Sequence, residues 1–167
     1  MIFCKPTEEI RAMKTIILYA TKHGAAGVIA QQIADRIKGA AIHNLKQGGV
    51  SLAGYDCVII GSSIYAGRAR KEARAFVTQN ADVLKQKKLG LFLSTMETSN
   101  DNTYFESNYP KEIVQAAKAM SCPGGIFDPK KAGGMERFII KLIKKKVVYM
   151  DNIDYNKIDQ FAKTMNG

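Results

Sequence analysis

Histidine and cysteine are scarce in this chain, and their scarcity closes off whole classes of chemistry. The two histidines, His23 and His43, are too few and too far apart to hold a metal. The three cysteines, Cys4, Cys57 and Cys122, form an odd, scattered set without CxxC spacing. That argues against a disulfide framework or a zinc site and fits a reducing cytoplasm. Cys57 falls inside an apolar run and reads as a small core residue. No apolar run approaches the ~20 residues needed to span a bilayer. The first twelve residues, MIFCKPTEEIRA, contain no long apolar core and carry Glu8 and Glu9, so they do not read as a signal peptide. Residues 1–12 read instead as a dispensable extension ahead of Met13, and residues 13–167 as a single domain. Acidic residues are also short, 15 against 25 Lys and Arg, which leaves a net charge of +10. Three partner classes follow from that excess: nucleic acid, an anionic membrane surface, or an acidic protein or ligand. Nucleic acid is the least favoured, because no aromatic-interleaved basic patch or binding motif accompanies the charge.

What is present is enough apolar material for one real core: 46% of 167 residues, with seven Phe and seven Tyr. The chain is organised around Lys14–Lys38. Thr15–Ala20 is a short β-branched run, as in a fully buried strand. Ala26, Ile29, Ala30, Ile33, Ala34 and Ile37 then recur at helical spacing. Between them lies the tight turn Thr21-Lys22-His23-Gly24-Ala25. Such a turn aims backbone N–H groups and a helix N-terminus at one spot, where a phosphate is attracted. It equally suits a plain strand-to-helix connection with no ligand.

Further strands are expected at Ala40–Leu45, Tyr55–Gly61, Leu89–Ser94 and, weakened by Pro123 and two glycines, Cys122–Phe127. Helices are expected after Gly67, with Ala69, Ala73, Phe76, Val77 and Leu84 on one face, and over Lys111–Met120. Met135, Phe138, Ile139, Leu142 and Ile143 form a further stripe, expected to be spent on the sheet. The last helix covers about Tyr155–Met165, with Ile158, Phe161, Ala162 and Met165 inward. Thr95–Pro110 reads as a long polar loop, a length more often functional than not. The GVSLAG segment around Ser51 is not a nucleophile elbow: the final glycine is displaced and no strong strand precedes it. Strands alternating with helices give an α/β sandwich, a parallel sheet covered on both faces. Ligands bind such sheets beyond the carboxyl ends of the strands, where strand order reverses.

Three strands end in turns unlike simple connectors: Thr21–Ala26, Ser62–Gly67 and Ser94–Asn100. The first offers a phosphate cradle with the Thr21 hydroxyl and the Lys22 charge. It is neither a Walker loop nor a GxGxxG loop. The second places Tyr65, Ala66 and Gly67 where a flat ring lies against backbone. The third is polar, with Met96 as its one apolar contact. A mononucleotide with a flat heteroaromatic ring satisfies all three. Tyr65 as a stacking residue competes with Tyr65 as a surface aromatic, and His23 reads as a loop residue near phosphate rather than as an acid–base catalyst.

Tyr19-Ala20-Thr21-Lys22-His23-Gly24 followed by a helix resembles the flavodoxin phosphate loop. Val58–Gly67 is similar to the first flavin-ring loop of that family, and the resemblance runs from Met13 to the C-terminus. It implies a flavodoxin-like three-layer sandwich with a five-stranded parallel sheet in the order 2-1-3-4-5. It also implies FMN held by Thr21, Lys22, His23, Gly24, Ala25 and Ala26, by Ser62, Ser63, Ile64, Tyr65, Ala66 and Gly67, and by Ser94, Thr95 and Met96. Gly61–Gly67, the long loop after Ser94 and Glu136–Ile143 (ERFIIKLI) resemble the flavodoxin-type protoporphyrinogen dehydrogenases that pass electrons to menaquinone. The implied reaction is oxidation of protoporphyrinogen by the flavin, with a quinone as acceptor. A flavodoxin-type electron carrier docking on a redox partner protein is the alternative, and a domain of this shape without FMN a third.

Two departures stand out. His23, Ala25 and Ala26 occupy positions where a flavodoxin has hydroxyls, so backbone N–H groups and the helix dipole carry the phosphate. The chain is also basic where flavodoxins are acidic. The cluster Lys130, Lys131, Arg137, Lys141, Lys144, Lys145 and Lys146 fits a solvated face, a dock for an acidic partner, or contact with anionic lipid. Ile140 and Val147 beside it lean toward lipid. A cytoplasmic protein peripheral to the inner face of the membrane follows from the last.

Overall fold

The computed structural model describes residues 10–96, 102–144 and 149–167. Cys4, residues 97–100 of the third loop, Lys145, Lys146 and Val147 lie outside the described residues, as do the side chains of Ile139, Ile143 and Lys144.

Three central strands carry the sheet: β1 (Thr15–Ala20), β3 (Cys57–Tyr65) and β5 (Lys88–Ser94). β2 (Ala41–Asn44) pairs with β1, and β6 (Ala119–Ser121) pairs with β5, all in parallel. The spatial order is β2-β1-β3-β5-β6. With the two-residue hairpin partner β4 (Arg68–Ala69) set aside, this is the 2-1-3-4-5 order expected. A separate antiparallel pair, β7 (Ile126–Phe127) and β8 (Met150–Asp151), stands beyond the main sheet.

The pleat sends alternate residues to opposite faces, so each central strand is apolar through its middle and feeds two cores. One face gathers Ile16, Leu18, Val58, Ile60, Leu89, Leu91 and Leu93 under α2 (Lys71–Gln79), α3 (Ala81–Lys85), α4 (Thr103–Asn108) and α5 (Lys111–Ala116). The other gathers Ile17, Cys57, Ile59 and Phe92 under α1 (Ala25–Ala34) and α7 (Tyr155–Asn166). Burial pushes the Cys57 thiol pKa up. Burying each such aliphatic side chain contributes about 1.5–3 kcal/mol. Asp154 caps α7 by accepting from the Asn156 and Lys157 N–H groups at 3.0 and 3.3 Å. Ile158, Phe161, Ala162 and Met165 face inward as their spacing predicts.

Several expectations need correction. β3 does not stop at Gly61: it continues to Tyr65 and turns back through Ala66 and Gly67 into β4. The helix expected over Lys111–Met120 ends at Ala116, because Ala119–Ser121 pairs with β5 as the fifth strand of the sheet. Ile126 and Phe127, expected in that fifth strand, belong to the small hairpin instead. Thr95–Pro110 is not structureless, since it contains α4. Arg11, in the stretch read as an extension, donates to both oxygens of Asp56 at 3.1 and 3.0 Å. The Lys14 N–H at 2.9 Å and Arg11 hold the Asp56 carboxyl below its usual range.

The largest correction concerns α6 (Gly134–Lys144), which lies between β7 and β8. Met135, Phe138 and Leu142 were expected on the sheet, yet they are 73%, 62% and 68% exposed. A helix hung on a two-residue hairpin cannot reach the sheet with that face. It turns Glu136 and Ile140, one turn apart, toward the loops at the sheet edge.

Candidate functional site

A strand that continues into a helix must bend sharply, and Gly24 makes that bend at φ +100°, where only glycine is comfortable. Its N–H donates to Thr21 Oγ1 at 2.8 Å, which closes the turn. Gly24 is the N-cap of α1 and offers no side-chain acceptor, and the first turn of α1 holds no acid. The N-terminal N–H groups and the positive end of the helix dipole therefore remain free of a negative cap from their own helix.

The loops are tied to one another. The Lys22 N–H donates to Ser63 Oγ at 3.0 Å, linking the turn after β1 to β3. Lys22 Nζ lies 3.2 Å from the centre of the Tyr65 ring, a cation–π contact. Ala66 at φ +50° and Gly67 at φ +75° give the β3–β4 hairpin two successive left-handed residues, the pattern of a tight two-residue turn. Asn108 clamps that hairpin from α4. Its Oδ1 accepts from the Ala69 N–H at 2.8 Å, and its Nδ2 donates to the Gly67 carbonyl at 3.1 Å. After β5, the Thr95 N–H donates to the Gly124 carbonyl at 3.2 Å, which binds the third loop to the segment leading into β7. Gly124 has φ +97°, and a Cβ there would stand 2.0 Å from the Asn152 carbonyl oxygen.

Together these segments enclose a cavity of about 320 Å³. Lys22, His23 and Ala25 line it from the first loop, Ser63, Ile64, Tyr65 and Ala66 from the second, and Ser94, Thr95 and Met96 from the third. Five candidate residues stand elsewhere. Ala26 is buried in the core under α1, and Ser62 is buried with its hydroxyl engaged by the Arg70 N–H and the Ser63 carbonyl. Thr21, Gly24 and Gly67 shape the turns without lining the cavity. Gly125, Ile126, Phe127, Glu136 and Ile140 complete the wall, and the sequence reading assigned none of them to the site.

Glu136 is the most informative of these. Its side chain is 12% exposed and receives a hydrogen bond from Lys22 Nζ. His23 Nε2 lies 2.8 Å from Oε2, and the Gly133 N–H donates to the same oxygen at 3.3 Å. Burial pushes the Glu136 carboxyl pKa up, but the hydrogen bonds from Lys22 and His23, aided by the His23 charge and the Gly133 N–H, overcome it and hold it below the usual range. The Lys131 ammonium stands 3.6 Å from where a Gly24 Cβ would project. One end of the cavity thus collects cations at a helix entrance, and the rest is walled by Ile64, Tyr65, Met96, Ile126, Phe127 and Ile140. This fits a ligand with an anionic tail and a flat apolar ring. The loop's capacity for an anion is visible directly, because it already holds a carboxylate of the chain itself.

A second cavity of about 330 Å³ lies away from these loops, between β6, α7 and Asn102. It shares none of the three converging turns.

Comparison with known proteins follows the same line. A family model described as a flavodoxin domain matches residues 16–165. No curated protein matches the sequence. Among solved structures, the rubredoxin oxygen:oxidoreductase of Desulfovibrio gigas is similar with a TM-score of 0.61 at 13% identity, over 92% of this chain and 35% of that one. The metal-soaked Flv1 flavodiiron core of Synechocystis gives 0.55 at 13% identity, over 95% and 35%. A flavodoxin from the domain Archaea gives 0.53 at 11% identity, over 93% and 100%. The chain spans about a third of the length of the first two and the whole of the third. At these identities the likeness is one of fold.

Proposed function

The chain belongs to the flavodoxin domain family, and from that premise we propose that it is a redox protein binding FMN at the edge formed by β1, β3 and β5. The observation that carries the reading is one cavity in which a cationic helix entrance meets an apolar slot. Lys22, His23 and the N-terminus of α1 would hold the phosphate. Ile64, Tyr65, Ala66, Thr95 and Met96 would hold the ring, while Thr21, Gly24, Ser62 and Gly67 keep the turns in shape. FMN, when bound, supplies the hydride and electron chemistry. The chain's own part is to orient the cofactor and keep water from it, with Ile140 and Phe127 closing the far wall.

Within this reading the protein is an oxidoreductase resembling the protoporphyrinogen dehydrogenases, with a quinone as acceptor. Its support is the stretch Glu136–Ile143, from which Glu136 and Ile140 wall the cavity. The alternative, an electron carrier docking through its basic face, draws on the exposure of Arg137 and Lys141 beside that same cavity. We place the protein in the cytoplasm, with residues 13–167 as the functional domain. No helix among the described residues is long and apolar enough to cross a membrane. Met135, Phe138 and Leu142, exposed on the same helix as Arg137 and Lys141, form an apolar face with basic neighbours that suits the inner membrane surface. Phe138→Glu with Lys141→Glu should abolish sedimentation with anionic vesicles, and persistence of binding would show that this face is not the membrane contact.

The deciding experiment is the visible spectrum of the purified protein before and after adding FMN and removing the excess. A retained oxidised-flavin spectrum is expected. Loss of all flavin after reconstitution would overturn the reading. Turnover of protoporphyrinogen with a menaquinone analogue then separates oxidoreductase from carrier.

A further inference from the structure

The cationic end of the cavity has a resident anion, and it comes from a different element. Lys22 and His23 belong to the turn after β1, whereas Glu136 reaches them from α6, more than a hundred residues later. The chain between Asp128 and Asp151 contains seven Lys and Arg and a single acid, Glu136. That one acid is the residue turned inward, while its neighbours Arg137 and Lys141 are exposed. Its contacts are specific: an ammonium and an imidazole on its oxygens, and a backbone N–H from the residue before its own helix. It shares the cavity wall with Ala25, the first residue of α1.

From this we propose that Glu136 is a built-in competitor for the phosphate group of the cofactor, so that it sets the preference of the site between phosphorylated and unphosphorylated flavin. The proposal rests on the flavin reading above. Two anions cannot share Lys22 and His23 at contact distance without strong mutual repulsion, since the site is largely shielded from water. A phosphate therefore gains Lys22 and His23 only by displacing the carboxylate, and part of its binding energy goes to that exchange. A flavin without the phosphate leaves the Glu136 contacts in place and meets no such opposition. The missing hydroxyls at His23, Ala25 and Ala26 act in the same direction, because the turn offers the phosphate few acceptor-directed side chains beyond the two that Glu136 already engages.

The proposal is read by titrating the full chain with FMN and with riboflavin, following quenching of flavin fluorescence. Glu136→Gln keeps the shape and removes the charge. It should tighten FMN roughly 10-fold and move riboflavin by less than about 2-fold. Glu136→Ala should do the same, which guards against an effect peculiar to glutamine, and circular dichroism verifies that both variants are folded. FMN affinity that stays unchanged or falls in both variants would overturn the proposal. An equal gain for FMN and riboflavin would also overturn it, because the effect would then be steric opening of the cavity. If neither flavin binds the unaltered chain or its variants, the flavin reading itself falls and this proposal falls with it.

Discussion

α1 and α6 flank the same cavity, and both carry apolar residues at helical spacing, yet their stripes have opposite fates. In α1, Ala26, Ile29, Ala30 and Ile33 are buried to within 1% of full enclosure. In α6, Met135, Phe138 and Leu142 remain more than 60% exposed. The difference lies in how each helix is attached. α1 is continuous with a central strand, and its right-handed return lays it on the sheet. α6 hangs between two strands of two residues each, and it meets the domain through Glu136 and Ile140. Periodicity reports that a helix has two faces; the attachment decides which face is covered.

The contrast is broken most severely in the core. Ile29→Ala should cost about 2–5 kcal/mol in urea unfolding, because the buried site cannot collapse around the missing atoms. Leu142→Ala should stay within about 0.5 kcal/mol, as an exposed side chain loses little. Similar losses for the two would erase the distinction. The sheet surface beneath α1 is equally intolerant of addition. A Cβ at Gly61 would stand 1.9–2.3 Å from three ring carbons of Phe92. Gly61→Ala should therefore cost about 1–3 kcal/mol, and Phe92→Leu in the same chain should recover part of it, both read from thermal unfolding.

Acid sharpens the comparison further. The Glu136 carboxyl is lowered in the folded protein, so its contribution is complete above the ordinary carboxylate range and is lost as pH falls through the lowered value. Lys22 and His23 are the side chains facing it. Below about pH 4, the amide resonances of residues 134–144 should shift before those of 25–34. Simultaneous movement of the two helices would count against Glu136 as the contact that holds α6 in place. The smallest effect is expected on the opposite wall. Ala66 at φ +50° sits where glycine is at ease, so Ala66→Gly should raise stability by about 0.5 kcal/mol. A loss there would show that the turn holds its shape for another reason.

Much of this was legible in the chain. β1, β3 and β5 are buried on both faces, which writes their middles as continuous apolar runs, and α7 shows its stripe because the sheet covers it. The legible loops are those at the ends of these strands, and ten of the cavity-lining residues come from them. What was hidden depends on distance in sequence. β6 is three half-buried residues, Ala119-Met120-Ser121, whose pairing with β5 has no local signature. The extension of β3 to Tyr65 rests on Ser62 and Ser63 pairing with β1 and β5 and on Ile64 and Tyr65 pairing with β4, the latter across a turn whose first residue is not a usual turn former. Glu136 enters the sequence reading only as the first residue of the ERFIIKLI stretch, with no role at the site. Its signal was its isolation, a lone carboxylate in a cationic stretch, but only the fold shows that it meets Lys22 and His23.

The bond from the Lys22 N–H to Ser63 Oγ, with the Lys22 ammonium over Tyr65, makes the first two loops one mechanical unit. Ordering either loop orders the other, so the conformational entropy of both is surrendered in a single event. The two halves of a ligand are then thermodynamically coupled. A ring that settles Tyr65 prepares the turn that receives the tail, and a tail that fixes Lys22 prepares the platform for the ring. Binding free energies measured for the fragments alone will not sum to that of the whole, and the discrepancy is a direct measure of how tightly the loops are joined.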